Sequence, residues 1–132
     1  MKRLKESVTD KVLQGFLTAV LFTGMDSEDN PLDSNFDTRD FDKDSYRLAT
    51  KIVDAFISQL SVDPETICDT VGQKLENMGI NIWFTMTGQG ANFLDGDWDD
   101  YEDELYNLAK KLTKKYYVEG ATSWDDEKVS IF

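Results

Sequence analysis

Four segments of this chain place apolar residues three or four positions apart, which is the spacing of an α-helix. In the first segment, Val12, Phe16 and Val20 form one such row, and a second row lies beside it. An amphipathic helix must bury its apolar stripe against another element of the fold. The chain is therefore predicted to fold around packed helices, as a single domain covering residues 1–132.

Polar residues and glycines mark where these helices begin and end. Ser7 and Asp10 resemble a capping box with Asp in place of Glu, and Gly24 is expected to end the first helix. Asp63 is expected to cap the third helix ahead of Pro64, with a glycine at position 79 as its C-terminal stop. The predicted helices are residues 8–22, 44–60, 64–78 and 99–114.

The segment after Gly79 changes to residues that are typical of strands. It is rich in Ile, Trp, Phe and Thr, and it is followed by a Gly-x-Gly turn and a second short apolar stretch. The expected fold class is α+β, with about four helices packed on one face of a small antiparallel sheet that contains this central hairpin. The predicted strands are residues 80–86, 91–94, 116–118 and 129–131, with the hairpin turn at residues 87–90. Residues 25–43 are predicted to form a long acidic loop.

The chain contains no histidine. Histidine is the usual general base near neutral pH and the commonest transition-metal ligand. Ser-His-Asp and Cys-His nucleophile systems and the usual zinc sites are therefore excluded. A pair of carboxylates could perform acid/base chemistry, but some pairs arise by chance among 26 acidic residues. We expect a binding protein rather than an enzyme, with no cofactor.

The sequence lacks a transmembrane segment, a signal peptide and a pair of cysteines, and these features bear on the cellular location. No apolar run reaches the ~18 residues that suggest a transmembrane helix. The apolar stretch at residues 16–22 is too short for a signal peptide and lies within a predicted helix. Cys68 is the single cysteine, so it cannot form an internal disulfide. These features predict a cytoplasmic protein that does not enter a membrane.

Negative charge is concentrated in short runs of the chain. Acidic residues number 26 against 14 basic ones, which gives a formal net charge of -12. Clustered carboxylates create a local field that repels nucleic acid and attracts basic surfaces. Direct binding to nucleic acid is not expected, because the lysines near the end of the fourth helix are interpreted as a complement to its dipole. The acidic runs lie within residues 26–44, 95–104 and 125–127.

The second acidic run begins like an EF-hand calcium loop. Asp95, Asp97 and Asp99 occupy the first three side-chain ligand positions. Asp100 stands where the loop requires glycine, and Tyr106 stands where it requires glutamate. No metal site is therefore assigned. A looser Ca²⁺ or Mg²⁺ site is an open alternative, which a large rise in melting temperature on adding Ca²⁺ would support.

The acidic runs have two interpretations, which the residues leave evenly balanced. In one, the acids cap helices, occupy loops and keep the protein soluble. In the other, they imitate duplex DNA, which carries one negative charge per about 1.7 Å of axis. Aromatic residues among the acids are apolar anchors for a partner if exposed, and otherwise belong to the core. The residues predicted to contact a partner are Asp95, Asp97, Trp98, Asp99, Asp100, Tyr101, Glu102, Asp103 and Glu104, with Asp26, Glu28, Asp29 and Asp33 assisting from the long loop.

Residues 79–95 resemble a pattern found in small acidic proteins of tailed bacteriophages. In that family an aromatic strand is followed by Thr, a Gly-x-Gly turn, Ala or Gly, an aromatic residue and Asp. Residues 16–22 and the acidic segment at residues 31–33 are also similar to the family, and the resemblance extends over about residues 15–115. The chain departs from the pattern at Met86, Gln89 and Leu94. The matching positions are Trp83, Thr85, Gly88, Gly90, Ala91, Phe93 and Asp95.

The resemblance implies a phage protein that acts in the cytoplasm of an infected bacterium, and it implies no settled activity. Phages make small acidic proteins that block restriction, CRISPR or other DNA-directed enzymes of the host. The expected function is therefore inhibition of a host DNA-binding or defence protein, through a basic surface of that nucleic-acid-binding protein. The alternative is a phage structural, assembly or adaptor protein whose acidity only confers solubility.

Overall fold

The computed structural model describes residues 7–26, 28, 30–34, 36–88, 92–116, 118, 122–123 and 128–131. Most of these residues lie in α-helices. Their helices are, in chain order, α1 (Val8–Thr23), α2 (Lys43–Ser58), α3 (Pro64–Val71), α4 (Leu75–Thr87) and α5 (Glu102–Lys115). Single 3-10 turns lie at Leu32–Ser34 and Asp99–Tyr101. Two strands of two residues each, β1 (Met25–Asp26) and β2 (Thr122–Ser123), pair in parallel.

The predicted α+β fold is wrong. Across the described ranges, the sheet consists of β1 and β2 alone, and these strands are parallel rather than antiparallel. Of the two further strands predicted near the C-terminus, the first does not form in its described residues: Tyr116 is the C-cap of α5 and Val118 lies in no helix or strand, while residue 117 lies outside the described residues. In the second, Val129 forms an isolated bridge with Phe41. The helices therefore bury their apolar faces against one another.

The predicted hairpin is also wrong, because residues 80–86 lie inside α4. Met78, Ile82 and Met86 are buried at intervals of four residues, with Trp83 buried beside them. A helix that packs on several neighbours is apolar on most of its surface, so its sequence resembles a buried strand. Strand propensity is strongly dependent on context, and here helix packing overrides it. Residues 89–90 of the predicted turn and residue 91 of the predicted second strand lie outside the described residues, and residues 92–94 form no strand.

The predicted third helix is two helices, and Gly79 does not end it. Gly72 ends α3 in the left-handed conformation with φ 78°, and α4 begins three residues later. Gly79 instead lies within α4, where that helix crosses α1. The predicted N-terminal signals of α3 are confirmed, because the Asp63 side chain accepts a hydrogen bond of 3.0 Å from the Thr66 amide and Pro64 follows it.

Helices α1 and α4 form the closest contact in the core. A Cβ atom built on Gly79 would lie 1.9 Å from the carbonyl oxygen of Val12, and one on Gly15 would lie 1.8 Å from that of Glu76. The two backbones therefore touch, which no other residue type would allow. Beyond the crossing, the Phe16 and Trp83 rings meet edge to face with centroids 5.4 Å apart. The remaining helices pack around this pair.

The start and end of α1 follow the predicted signals. The Ser7 hydroxyl accepts a hydrogen bond of 3.0 Å from the Asp10 amide, and the Asp10 carboxylate accepts one from the Ser7 amide. This capping box satisfies amides that the first turn leaves without helical partners. Gly24 is the C-cap, as predicted.

The acidic segment between α1 and α2 is attached to the core by apolar side chains. Leu32 and Phe41 are buried, and Phe36 packs against the core while half-buried. The C-terminal residues 128–131 run beside its end, where the Val129 amide donates to the Asp40 carbonyl over 2.8 Å. The Ser45 hydroxyl of α2 accepts a hydrogen bond of 3.0 Å from the Ile131 amide. Both chain segments are thereby fastened to the start of α2.

Cys68 lies in α3 as a buried free thiol. Burial, with smaller contributions from the charges of Asp69 and Glu76, raises its pKa to about 11. The reactive thiolate is therefore scarce at neutral pH. We expect the folded protein to react with an alkylating reagent at pH 7.5 far more slowly than the protein in denaturant, as measured by mass spectrometry. Equal rates in the two states would contradict the burial of this side chain.

Candidate acidic binding surface

Two buried aromatic rings position the second acidic run. Phe93 stacks on Phe56 of α2 with centroids 5.7 Å apart and meets the Trp98 ring edge to face at 5.5 Å. Trp98 is 0% exposed, and its indole nitrogen donates a hydrogen bond of 2.6 Å to the Asn81 side-chain oxygen of α4. Because both rings are in the core, the connection from α4 to α5 is held at two points and its acids face solvent.

The burial of Trp98 removes its predicted role as an apolar anchor for a partner, a role that required exposure. The sequence left a place in the core as the alternative, and the structure shows that place. Tyr101 is half-buried and packs against the core through part of its ring. Its role in partner binding stays a prediction.

Four carboxylates lie just before α5 or in its first turn without a partner among the residues that the structure describes. All four are exposed, and none accepts a hydrogen bond from, or forms an ion pair with, any residue that the structure describes. Asp99 has the rare φ of 49°, which turns the chain into α5. We call this set of exposed carboxylates the acidic turn: it consists of Asp97, Asp99, Asp100 and Asp103.

The other acids of the second run are less available to a partner, because two of them accept hydrogen bonds within the fold and one is half-buried. The Asp95 carboxylate accepts a hydrogen bond of 3.2 Å from the Asn92 amide. Glu104 is half-buried and accepts hydrogen bonds of 2.8 Å from both the amide and the hydroxyl of Ser61, which ties α5 to the connection between α2 and α3. Glu102 is half-buried in the first turn of α5. These three acids were predicted as contact residues on charge alone.

The assisting acids of the first run lie on a different part of the fold. Asp26 belongs to β1, and the 3-10 turn that contains Asp33 packs against α1. Glu28 and Asp33 are exposed, whereas Asp29 lies outside the described residues. The first run is thus anchored through α1 and the second through α2 and α4.

The later acids of the first run support the interpretation that charge serves the fold. Asp42 caps α2 by accepting a hydrogen bond of 2.7 Å from the Ser45 amide. Hydrogen bonds and the positive charge of Arg39 lower the pKa of Asp37 to about 2. Asp63, the N-cap of α3, accepts hydrogen bonds from the amide and the hydroxyl of Thr66, and these bonds lower its pKa. At a pH above their ordinary pKa, the ionised carboxylates of Asp37 and Asp63 stabilise the folded state, and this stabilisation is lost as the pH falls.

Residues 125–127, the third acidic run, lie outside the described residues.

Sequence reasoning missed an apolar groove between α1 and α4. It has a volume of about 270 Å³ and is lined by Thr18, Ala19, Phe22, Ile80 and Phe84. Phe22 is 68% exposed, and nearby in the chain Met25 is 50% exposed. The only signal in the sequence is that Phe22 falls outside the two apolar rows of α1.

In the parts of the chain that the structure describes, no group of three or more Cys, Asp and Glu side chains has an arrangement that could hold a metal ion. The same parts contain no helix that is both long and apolar enough to cross a membrane. Comparison with protein-family models, curated proteins and solved structures gave no match. The resemblance to acidic phage proteins therefore stays a prediction.

Proposed function

We propose that this chain is a non-enzymatic binding protein that occupies the basic, nucleic-acid-binding surface of a target protein. The observation that carries the proposal is the acidic turn: its four carboxylates are exposed, have no partner among the described residues, and lie on the first turn of α5 and the connection before it, which Phe93 and Trp98 fix. A rigid cluster of charge loses little conformational entropy on binding and steers a basic surface toward it. The phage setting and the host target are parts of the same proposal.

If the proposal is correct, binding depends on where the charges lie; if the acids only confer solubility, their location does not matter. In the test variant, the acidic turn is replaced by Asp97→Asn, Asp99→Asn, Asp100→Asn and Asp103→Asn. Asparagine tolerates the positive φ at position 99, so the fold is preserved. We expect affinity for the captured target to fall by about 100-fold, because each lost charge contact weakens binding modestly and four are lost. The measurement is capture from a bacterial lysate, washed with increasing salt.

The matched control removes the same charge elsewhere. Asp44→Asn, Asp54→Asn, Glu65→Gln and Asp69→Asn change four exposed acids on α2 and α3 and give the same net charge. This control should bind the target as the wild type does. If both variants lose affinity equally, total charge determines binding and the acidic turn is not the site.

The apolar groove favours a second candidate function, that of an assembly or adaptor protein. A solvent-exposed Phe22 beside a groove with an apolar lining is typical of a protein contact. Binding through it would resist salt. This candidate would be supported by a captured protein that stays bound to the acidic-turn variant during high-salt washes but does not bind the Phe22→Ser variant.

A further inference from the structure

The exposed face of α5 carries acids in its first half and lysines in its second half. Its opposite face is buried through Leu105, Leu108 and Leu112. Residues spaced by three, four and seven positions share one side of a helix, so the exposed residues form a single stripe along it. In chain order, the stripe is Asp100, which lies in the 3-10 turn just before α5, followed by Asp103, Asn107, Lys110, Lys111 and Lys114 of α5.

The two halves of this stripe do not neutralise each other within one molecule. Helical ion pairs form between residues three or four apart, whereas Asp103 is seven residues from Lys110. No ion pair joins an acid of this stripe to one of its lysines, and the ion pairs Asp37–Arg39 and Asp44–Arg47 lie elsewhere in the fold. Lys111 is held at the surface by a hydrogen bond of 3.2 Å to the Gln59 side chain of α2.

The order of charges is antisymmetric about Asn107, the neutral exposed residue at the middle of the stripe. Two such helices placed antiparallel, with the two-fold axis at Asn107, bring opposite charges together along their whole length. Asp103 of one copy then lies beside Lys110 of the other, and Asp100 lies beside Lys114. The two-fold axis repeats every contact, so the assembly closes as a dimer.

We propose that two copies of this chain associate through α5 in this antiparallel, two-fold arrangement. Charge complementarity argues for a second copy as the occupant, because the same stripe supplies both halves of each ion pair. Exposed ion pairs are individually weak, and the net charge of -12 on each copy opposes association. The dimer is therefore expected to be weak and to dissociate as salt rises. This inference does not depend on the proposed function, since its test involves no target protein.

Sedimentation velocity of the full chain at about 20 mM and about 500 mM NaCl tests the proposal. The wild type should contain dimer at low salt and be monomeric at high salt. Two reversals then probe opposite ends of the stripe: Lys110→Glu with Lys114→Glu, and Asp100→Lys with Asp103→Lys. Each should raise the dimer dissociation constant by about 30-fold, because four contacts change from attraction to repulsion.

An equimolar mixture of the two reversal variants provides the decisive control. The reversals change the net charge by four units in opposite directions, so repulsion between whole molecules predicts tighter association of the acid-to-lysine variant. The proposed pairing instead predicts that each variant alone is monomeric and that the mixture forms a heterodimer. Circular dichroism checks that α5 stays folded in both.

A cysteine placed on the two-fold axis tests the register independently. Asn107→Cys brings two thiols together across the axis and should form a disulfide-linked dimer under mild oxidation at low salt, whereas Asp54→Cys, an exposed position on α2, should not. A wild type that is monomeric at low salt would overturn the proposal. A dimer that resists high salt, or that both reversal variants retain, would overturn it equally.

Discussion

Replacing Gly79 by alanine is expected to destabilise the protein by at least about 3 kcal/mol, a large part of the ~5–15 kcal/mol that holds a typical domain folded. The new methyl group would lie 1.9 Å from the Val12 carbonyl oxygen, so α1 and α4 must separate. Separation also loosens the contact between Phe16 and Trp83 and the 2.9 Å hydrogen bond from the Trp83 indole to the Thr23 hydroxyl. The free energy of unfolding, measured in urea, gives the result.

Helix propensity alone predicts the opposite sign. In a helix interior, alanine is favoured over glycine by about 1 kcal/mol, so without the close crossing Gly79→Ala would stabilise α4. Gly88→Ala is the matched control: its φ of 75° makes alanine costly, but no atom lies within 4 Å of the new Cβ. We expect it to cost only about 1–2 kcal/mol. A rise in stability on Gly79→Ala would show that α1 and α4 do not touch.

Gly15→Ala places a methyl group against the Glu76 carbonyl at the same crossing. Because either substitution separates the same two helices, the double variant with Gly79→Ala should lose less stability than the two single losses added together. Additive losses would indicate that the contact of Gly15 with α4 and the contact of Gly79 with α1 are independent of each other.

The part of the fold that the sequence predicts is the part that depends on local chemistry. The capping box of Ser7 and Asp10 involves residues three positions apart, and α1 follows it as predicted. Gly79 was misread because its role is set by α1, which lies far away in the chain. With that contact unknown, a glycine before an apolar run resembles a helix stop before a strand. The fold class was wrong for this reason.

The candidate site shows the same division. The acidic run at residues 95–104 is evident from composition, but burial separates its members. Trp98 and Phe93 are in the core, and Glu104 is engaged with Ser61, all through contacts with residues distant in sequence. The charge order along α5 could be read from the sequence, since the segment was predicted to be helical. Its exposure on one stripe required the structure.

Trp98→Ala is expected to cost about 3–5 kcal/mol, because a fully buried ring is removed and a cavity is left beside Phe93. The connection that carries the acidic turn would lose one of its two anchors, so target binding should weaken together with stability. Both quantities are measurable on the same variant, by urea unfolding and by capture at constant salt.

Trp98→Phe separates packing from hydrogen bonding at this position. It keeps an aromatic ring but removes the donor to Asn81, so we expect a smaller loss of about 1–2 kcal/mol and near-normal binding. If Trp98→Ala instead left stability unchanged and abolished binding, Trp98 would be an exposed contact residue and its place in the core would be wrong.

Competition between this chain and duplex DNA for the captured target tests the proposed function most directly. The target is bound to the immobilised chain, and a short duplex is added at constant ionic strength. If the acidic turn occupies the surface that binds DNA, the duplex releases the target, and the variant without the four acids fails to compete with DNA. A stable complex that contains the chain, the target and the duplex together would contradict the account.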